Sequence, residues 1–194
     1  MLYGFGYDHV NNVYKVLSIT FDDLHVNSFK TKVMIYTLGT NSWRMIHGEL
    51  PLPYDCCELL IFVSGAINWI ALFSKNDSTN NDLCVVSFDL VNESHRNFLQ
   101  PNYGGEYDKD VSLGVLRDCL CIFARRCTFS SVWMVKEYGN EESWTELFRF
   151  HYMKDSFCCS NIKPLWIYED DRVLVISISS LRQSNRNYIG PFMI

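Results

Sequence analysis

Several things are missing from this 194-residue chain, and each absence removes a class of function. No uninterrupted apolar run approaches the ~20 residues that cross a bilayer as a helix. The first ten residues, MLYGFGYDHV, have neither the basic start nor the long apolar core of a secretory signal. No Cys-x-x-Cys occurs among the eight cysteines, which argues against a structural zinc site. His9, His25, His47, His95 and His151 are scattered, with no His-x-x-x-His or Glu-x-x-His spacing to hold a metal. Gly-x-Ser-x-Gly, a P-loop and a dinucleotide fingerprint are all absent. Lys and Arg are not clustered and the formal net charge is -5, so the basic footprint of a nucleic-acid binder is lacking. Sustained i, i+3, i+4 apolar periodicity is almost nowhere found, which disfavours an α/β fold.

What is present is apolar and aromatic: 48% hydrophobic and 15% aromatic residues, ample for a packed core. With no export signal and no need for stapling, Cys56, Cys57, Cys84, Cys119, Cys121, Cys127, Cys158 and Cys159 are expected to be reduced and to act as small hydrophobes. The chain is accordingly expected in a reducing compartment, cytoplasmic or nuclear. Asn76 and Asn92 open glycosylation sequons that such a chain would not use.

The organising stretch is 133–148, WMVKEYGNEESWTELF. An apolar run reaches Val135, a polar tip follows at Gly139-Asn140-Glu141-Glu142, and Trp144 opens a returning apolar run. This is the grammar of a strand, a tight turn and a strand. It recurs at 33–46, VMIYTLGTNSWRMI, and at 85–98, VVSFDLVNESHRNF. Trp43, His95 and Trp144 hold the same place in the three copies, at steps of 52 and 49 residues. Further hairpin signals lie at Asn11-Asn12, Ser64-Gly65, Arg117-Asp118 and the acidic turn 169–172. Two hairpins per period near 50 give four strands per unit, the spacing of a kelch-type propeller blade. The fold class is therefore all-β, a kelch-like β-propeller of antiparallel four-stranded blades. About three and a half units are visible and ring closure needs at least four, so the propeller is expected to be incomplete. One blade cannot bury both faces, and Trp43 and Trp144 are expected to be packing anchors between blades. His95 in the same place predicts looser packing of its blade. Trp69 and Trp166 are expected to be buried.

The motifs in order resemble the plant F-box-associated domain: GFGYD at 4–8, YKV at 14–16, GAINWIA at 65–71, VVSFDL at 85–90 and, most specifically, VWMVKEYGNEESWTELF at 132–148. The resemblance covers most of the chain. It implies a kelch-like propeller that usually follows an F-box and serves as the substrate-recognition part of a cullin–RING ubiquitin ligase subunit. Nothing in the sequence resembles the F-box, and GFGYD begins almost at Met1, so residues 1–194 are expected to be one F-box-associated interaction domain, truncated at its N-terminus. By the same resemblance the partner is a target protein for ubiquitination. A Skp-type adaptor would be reached only through an F-box not seen here.

No catalytic, cofactor or metal residue is assigned, and nucleic acid and membrane are not expected partners. The carboxylate pairs Asp22-Asp23, Glu141-Glu142 and Asp170-Asp171 all fall in turns or loops and read as solvated acids, and Arg125-Arg126 as a solvated strand end. Recognition would fall to the long loops 22–32, 74–82, 101–110 and 151–161. Two alternatives stand beside this reading. One is a small carbohydrate- or ligand-binding propeller, marked by exposed Trp or Tyr in a concave site. The other is a propeller hydrolase using loop carboxylates.

Overall fold

The computed structural model describes residues 1–22, 30–47, 50–51, 53, 60–73, 82–103, 111–125, 129–151, 162–167 and 173–177. The chain divides into two compact units, Met1–Asn102 with Glu137–Ser143, and Tyr103–Lys136 with Trp144–Ile194. The expected candidate loops lie almost wholly outside the described residues, as do Asp23, His25, Arg126, Asp170 and Asp171.

The first unit holds two four-stranded antiparallel sheets. Sheet 1 runs in chain order through β1 (Leu2–Asp8), β2 (Val13–Asp22), β3 (Lys30–Thr37) and β4 (Trp43–Ile46). Sheet 2 repeats this with β5 (Ile61–Val63), β6 (Ala66–Phe73), β7 (Asp82–Asp89) and β8 (His95–Leu99). The second unit holds a third meander, β9 (Val111–Leu116), β10 (Cys119–Arg125), β11 (Phe129–Val135) and β12 (Trp144–His151), and the pair β13 (Ile162–Ile167) and β14 (Val173–Ser177). The expected strand-and-turn pattern is thus found in every unit. Helical structure among the described residues is one 3-10 turn, Glu141–Ser143.

The turns explain the register. Ser64 and Gly65 both have positive φ, as do Arg117 and Asp118, so each closes a two-residue hairpin whose twist matches its strands. Trp43, His95 and Trp144 each open the fourth strand of a sheet and stand opposite Tyr36, Phe88 and Val135. The repeat read from the sequence is therefore a structural equivalence.

Strand alternation sorts the side chains of sheet 1. Leu2, Gly4, Gly6 and Asp8 take one face of β1, with Leu17, Ile19, Val33 and Ile35 on the same side of β2 and β3. That face is buried with Ile67, Val86 and Phe88 of sheet 2 and the adjoining Leu60 and Leu90 in one core. The two glycines set how near the sheets come. A Cβ on Gly4 would stand 2.7 Å from Ile67 Cγ2, and one on Gly6 would run into the Phe62 ring and Leu90. Each fully buried Leu or Ile in this core contributes about 1.5–3 kcal/mol. Trp69 is also fully buried, as expected, and its indole N–H donates to the Pro51 carbonyl at 3.1 Å. The side chain of Trp166 lies outside the described residues.

The two turn tryptophans expected to be packing anchors between blades differ in exposure. Trp144 is 8% exposed, but Trp43 is 45% exposed. Trp43 opens the edge strand β4, which is open to solvent along most of its length, and Tyr36 leans on it, ring centres 5.3 Å apart. The looser packing expected around His95 is not found. His95 is exposed like Trp43, while Ile67, Trp69, Ile70, Val85, Val86 and Phe88 of its sheet are fully buried.

Candidate functional site

Two polar clusters and one exposed face of the first unit account for the motif residues. The first cluster grows from a turn. Asp8 ends β1, and its Oδ1 accepts the backbone N–H of Val10 at 3.1 Å and of Asn11 at 3.0 Å, while Oδ2 accepts the Asn11 amide at 2.8 Å. Asn12 then takes φ 56° and turns the chain into β2. The same turn recurs between β7 and β8. Asp89 Oδ1 accepts Val91 and Asn92 N–H groups, both at 2.8 Å, and Glu93 takes φ 51°. The shared text is Asp-x-Val-Asn: Asp8-His9-Val10-Asn11 and Asp89-Leu90-Val91-Asn92. A short side chain that captures two N–H groups makes this turn locally stable.

Lys15 ties these turns together. It lies on the inner face of β2, almost fully buried. Its ammonium meets Asp8 Oδ2 at 2.8 Å, Glu93 Oε1 at 3.0 Å and the Leu90 carbonyl at 2.6 Å. Arg44 engages the other Glu93 oxygen. Three ammonium protons meet three acceptors, and Asp8 receives four donors, so neither group has capacity left for a substrate. Burial alone would push Asp8 up. The Asn11 amide and the Lys15 ammonium outweigh it and hold the carboxyl well below the usual carboxylate range. Burial likewise opposes charge on Lys15, but Asp8 and Glu93 raise it. Glu93 is pushed up by burial and pulled lower overall by Arg44 and Lys15. Such perturbed groups mark active sites only when something remains free to react. Here they join sheet 1 to sheet 2.

The second cluster surrounds Tyr138, in the tip between β11 and β12 that belongs to the first unit. Its hydroxyl donates to Asn68 Oδ1 at 2.6 Å and lies 2.6 Å from Ser87 Oγ. Asn68, fully buried, sends its amide to the Ile61 and Ala66 carbonyls at 3.2 and 3.1 Å. Arg96 sits over the Tyr138 ring, 5.1 Å from its centre, and Phe98 meets it edge-on at 6.3 Å. Gly139, at φ 82°, leaves room for the Arg96 guanidinium, which a Cβ would strike. Glu141 accepts the Leu99 N–H at 2.9 Å, and Glu142 is exposed. The Glu141-Glu142 pair is thus a solvated turn with one anchoring bond. Burial pushes the Tyr138 phenol up, against the bonds from Ser87 and Asn68.

The exposed face is the outer side of sheet 1. Across its four strands lie Tyr3, Phe5 and Tyr7, then Tyr14, Val16 and Ser18, then Met34 and Tyr36, then Trp43 and Met45. Phe5 stacks on Tyr14 with centres 5.2 Å apart and planes 9° apart, and Tyr7 tilts against Tyr14 at 5.1 Å.

Other singled-out residues do not converge. His9, His47 and His95 are exposed and separate, and the side chains of Asp22 and His151 are not described. Arg125 ends β10, half-buried. Cys84, Cys119 and Cys121 are free thiols, two of them buried. Among the described residues no group of three or more His, Cys, Asp and Glu side chains could hold a metal, and no helix is long and apolar enough to cross a membrane. Sequence reading missed the Lys15 and Tyr138 clusters. A charge at an inward position of an alternating strand, as at Asp8 and Lys15, was the available signal.

The chain is 27% identical to the F-box protein CPR1 of Arabidopsis thaliana over 203 residues, covering 94% of this chain and 48% of that protein. An F-box/kelch-repeat protein of the same plant is 28% identical over 182 residues, covering 92% of this chain and 46% of that protein. The chain therefore spans about half the length of these curated relatives. No solved structure matches it. The family model for the F-box associated beta propeller domain matches residues 1–191. Its blades are the four-stranded antiparallel sheets described above, here in an incomplete set. Asp8, Lys15, Asn68, Ser87 and Tyr138 bring the quoted motifs into the two clusters, and by the match over residues 1–191 the chain belongs to the F-box associated beta propeller domain family.

Proposed function

We propose that residues 1–194 act as one interaction domain that captures a target protein for ubiquitination, as the substrate-recognition part of an F-box subunit of a cullin–RING ligase. The observation that carries this is the family match over 1–191. In support, the motif residues are spent on framework: Asp8, Lys15, Glu93, Asn68, Ser87 and Tyr138 bond to one another and to backbone. Asp8 and Glu93 are the carboxylates brought together, and their saturation gives no support to a hydrolase. In this reading the chain is no enzyme, has no cofactor or metal, and works in the cytoplasm or nucleus. The Skp-type adaptor is contacted by an F-box and not by these residues.

Two measurements test this. The 194-residue chain, mixed with purified Skp-type adaptor, is expected to show no stable complex. Fused behind an F-box, it is expected to speed ubiquitination and turnover of a protein cross-linked to it in plant extract. Direct adaptor binding by the chain alone, or no captured protein whose turnover changes, overturns the proposal.

A further inference from the structure

The two polar clusters are one arrangement used twice. Lys15 is the third residue of β2, and Asn68 is the third residue of β6. Arg44 is the second residue of β4, and Arg96 is the second residue of β8. On sheet 2 the pair stands in one row, with Asn68 opposite Ser87 and Ser87 opposite Arg96. On sheet 1, Arg44 stands opposite Ile35 and Ile35 opposite Leu17, one same-face step from Lys15. Each pair holds one side chain from a turn between third and fourth strands further along the chain. Lys15 and Arg44 divide the two oxygens of Glu93, from the turn between β7 and β8. Asn68 accepts the Tyr138 hydroxyl and Arg96 covers its ring, in the tip between β11 and β12. The second-strand residue is also tied to backbone in both cases, Lys15 to the Leu90 carbonyl and Asn68 to the Ile61 and Ala66 carbonyls.

Each seat suits its guest. Two cations face a carboxylate, while an amide oxygen and the flat face of a guanidinium meet a phenol. We infer that these are matched seats that decide which turn docks on which sheet, so that the guest residue specifies the order of stacking. Exchanging the guests is penalised. A phenol in place of Glu93 leaves Lys15 and Arg44 short of a carboxylate. A carboxylate in place of Tyr138 lies among Asn68, Ser87 and backbone, with Arg96 alone to offset its charge. Sheets of the same strand pattern present similar apolar faces, so discrimination between right and wrong pairing has to come from such polar mismatches. The third sheet carries Cys121 and Thr145 at the equivalent positions, neither of them charged. The three copies therefore differ in kind: two cations, an amide with a cation, and an uncharged pair.

Rebuilding one seat on the pattern of the other tests this, by urea unfolding of the full 194-residue chain. Asn68→Lys alone buries an ammonium without a carboxylate, and Tyr138→Glu alone places a carboxylate without an ammonium. Each is expected to lower the midpoint by about 1.5–2.5 M. The double variant N68K/Y138E restores the Lys15–Glu93 pattern and is expected to be more stable than either single variant. Asn97 is exposed beside Arg96, so N97K/Y138E supplies the same charge outside the seat and is expected to recover nothing beyond Tyr138→Glu. If N68K/Y138E does not fold, a lysine pair decides. Arg44→Lys keeps a cation for Glu93 and should leave the midpoint within about 0.2 M of the parent. Arg96→Lys loses the flat face over Tyr138 and should lower it by about 0.3–0.5 M. A folded N68K/Y138E no more stable than both single variants overturns the inference. So does equal recovery in N97K/Y138E, or an equal shift in the two lysine variants.

Discussion

Replacing Lys15 by Met keeps the aliphatic stem and removes the ammonium. Three acceptors lose a donor at once: Asp8, Glu93 and the Leu90 carbonyl. Glu93 keeps Arg44, and Asp8 keeps the Val10, Asn11 and Asn11 amide donors, but Asp8 is fully buried and its charge is left without an ion partner. Breaking a buried pair from one side costs about 3–5 kcal/mol. With a urea dependence near 2 kcal/mol per molar, the unfolding midpoint of the first unit falls by about 1.5–2.5 M. Exchange of the buried Trp69 indole proton, bonded to Pro51, reports that unit alone. The sign with pH follows from the shifts. Asp8 is held below its unfolded value, so its contribution is fully present above about pH 4 and is lost as pH falls through the folded value. Lys15 is held above its unfolded value, so its contribution is present below about pH 10 and is lost as pH rises beyond the folded one. The gap between parent and Lys15→Met is therefore widest near neutrality and narrows in acid. Asp8→Asn combined with Lys15→Met should recover part of the loss, because the neutral amide no longer needs the ammonium. A loss below about 1 kcal/mol, a gap constant into acid, or strict additivity of the two changes would refute the buried-pair argument.

Two further outcomes are expected. Tyr138→Phe removes the hydroxyl that serves Asn68 and Ser87, both buried, and should cost about 1–3 kcal/mol in urea unfolding while leaving the Arg96 contact with the ring in place; an unchanged midpoint would show that water replaces the hydroxyl. Burial pushes the Cys84 and Cys121 thiols up, to about 11 and about 12, so iodoacetamide at about pH 8 should label the half-buried Cys119 before those two, and equal labelling of the three would contradict the burial assigned to them.

The strands were legible because alternation and turn residues are local. Asn11-Asn12, Ser64-Gly65 and Arg117-Asp118 each mark a turn by their own chemistry, and the Trp43, His95 and Trp144 spacing gave the blade repeat. Burial of those same residues was not legible. Whether an edge position is covered depends on the layer beside it, and Trp43 is exposed where Trp144 is buried. The inward parity of Asp8 and Lys15 could have been read from GFGYD and YKV. Their partner Glu93 could not, since its placement depends on how two sheets stack. The same limit hid Tyr138, whose hydrogen-bond partners lie 70 and 51 residues away.

The Lys15 contact to Glu93 also fixes an order in time. The two residues are 78 apart in the chain. During synthesis at about 5–20 residues per second, sheet 1 is complete some seconds before Glu93 exists. Until then its inner face carries a lysine with one carboxylate to meet and no second sheet to cover it. Between Ile46, the last residue of sheet 1, and Glu93 synthesis takes roughly 2–9 s, a window in which the inner face of sheet 1 waits for its second carboxylate and a chaperone would be expected to hold it.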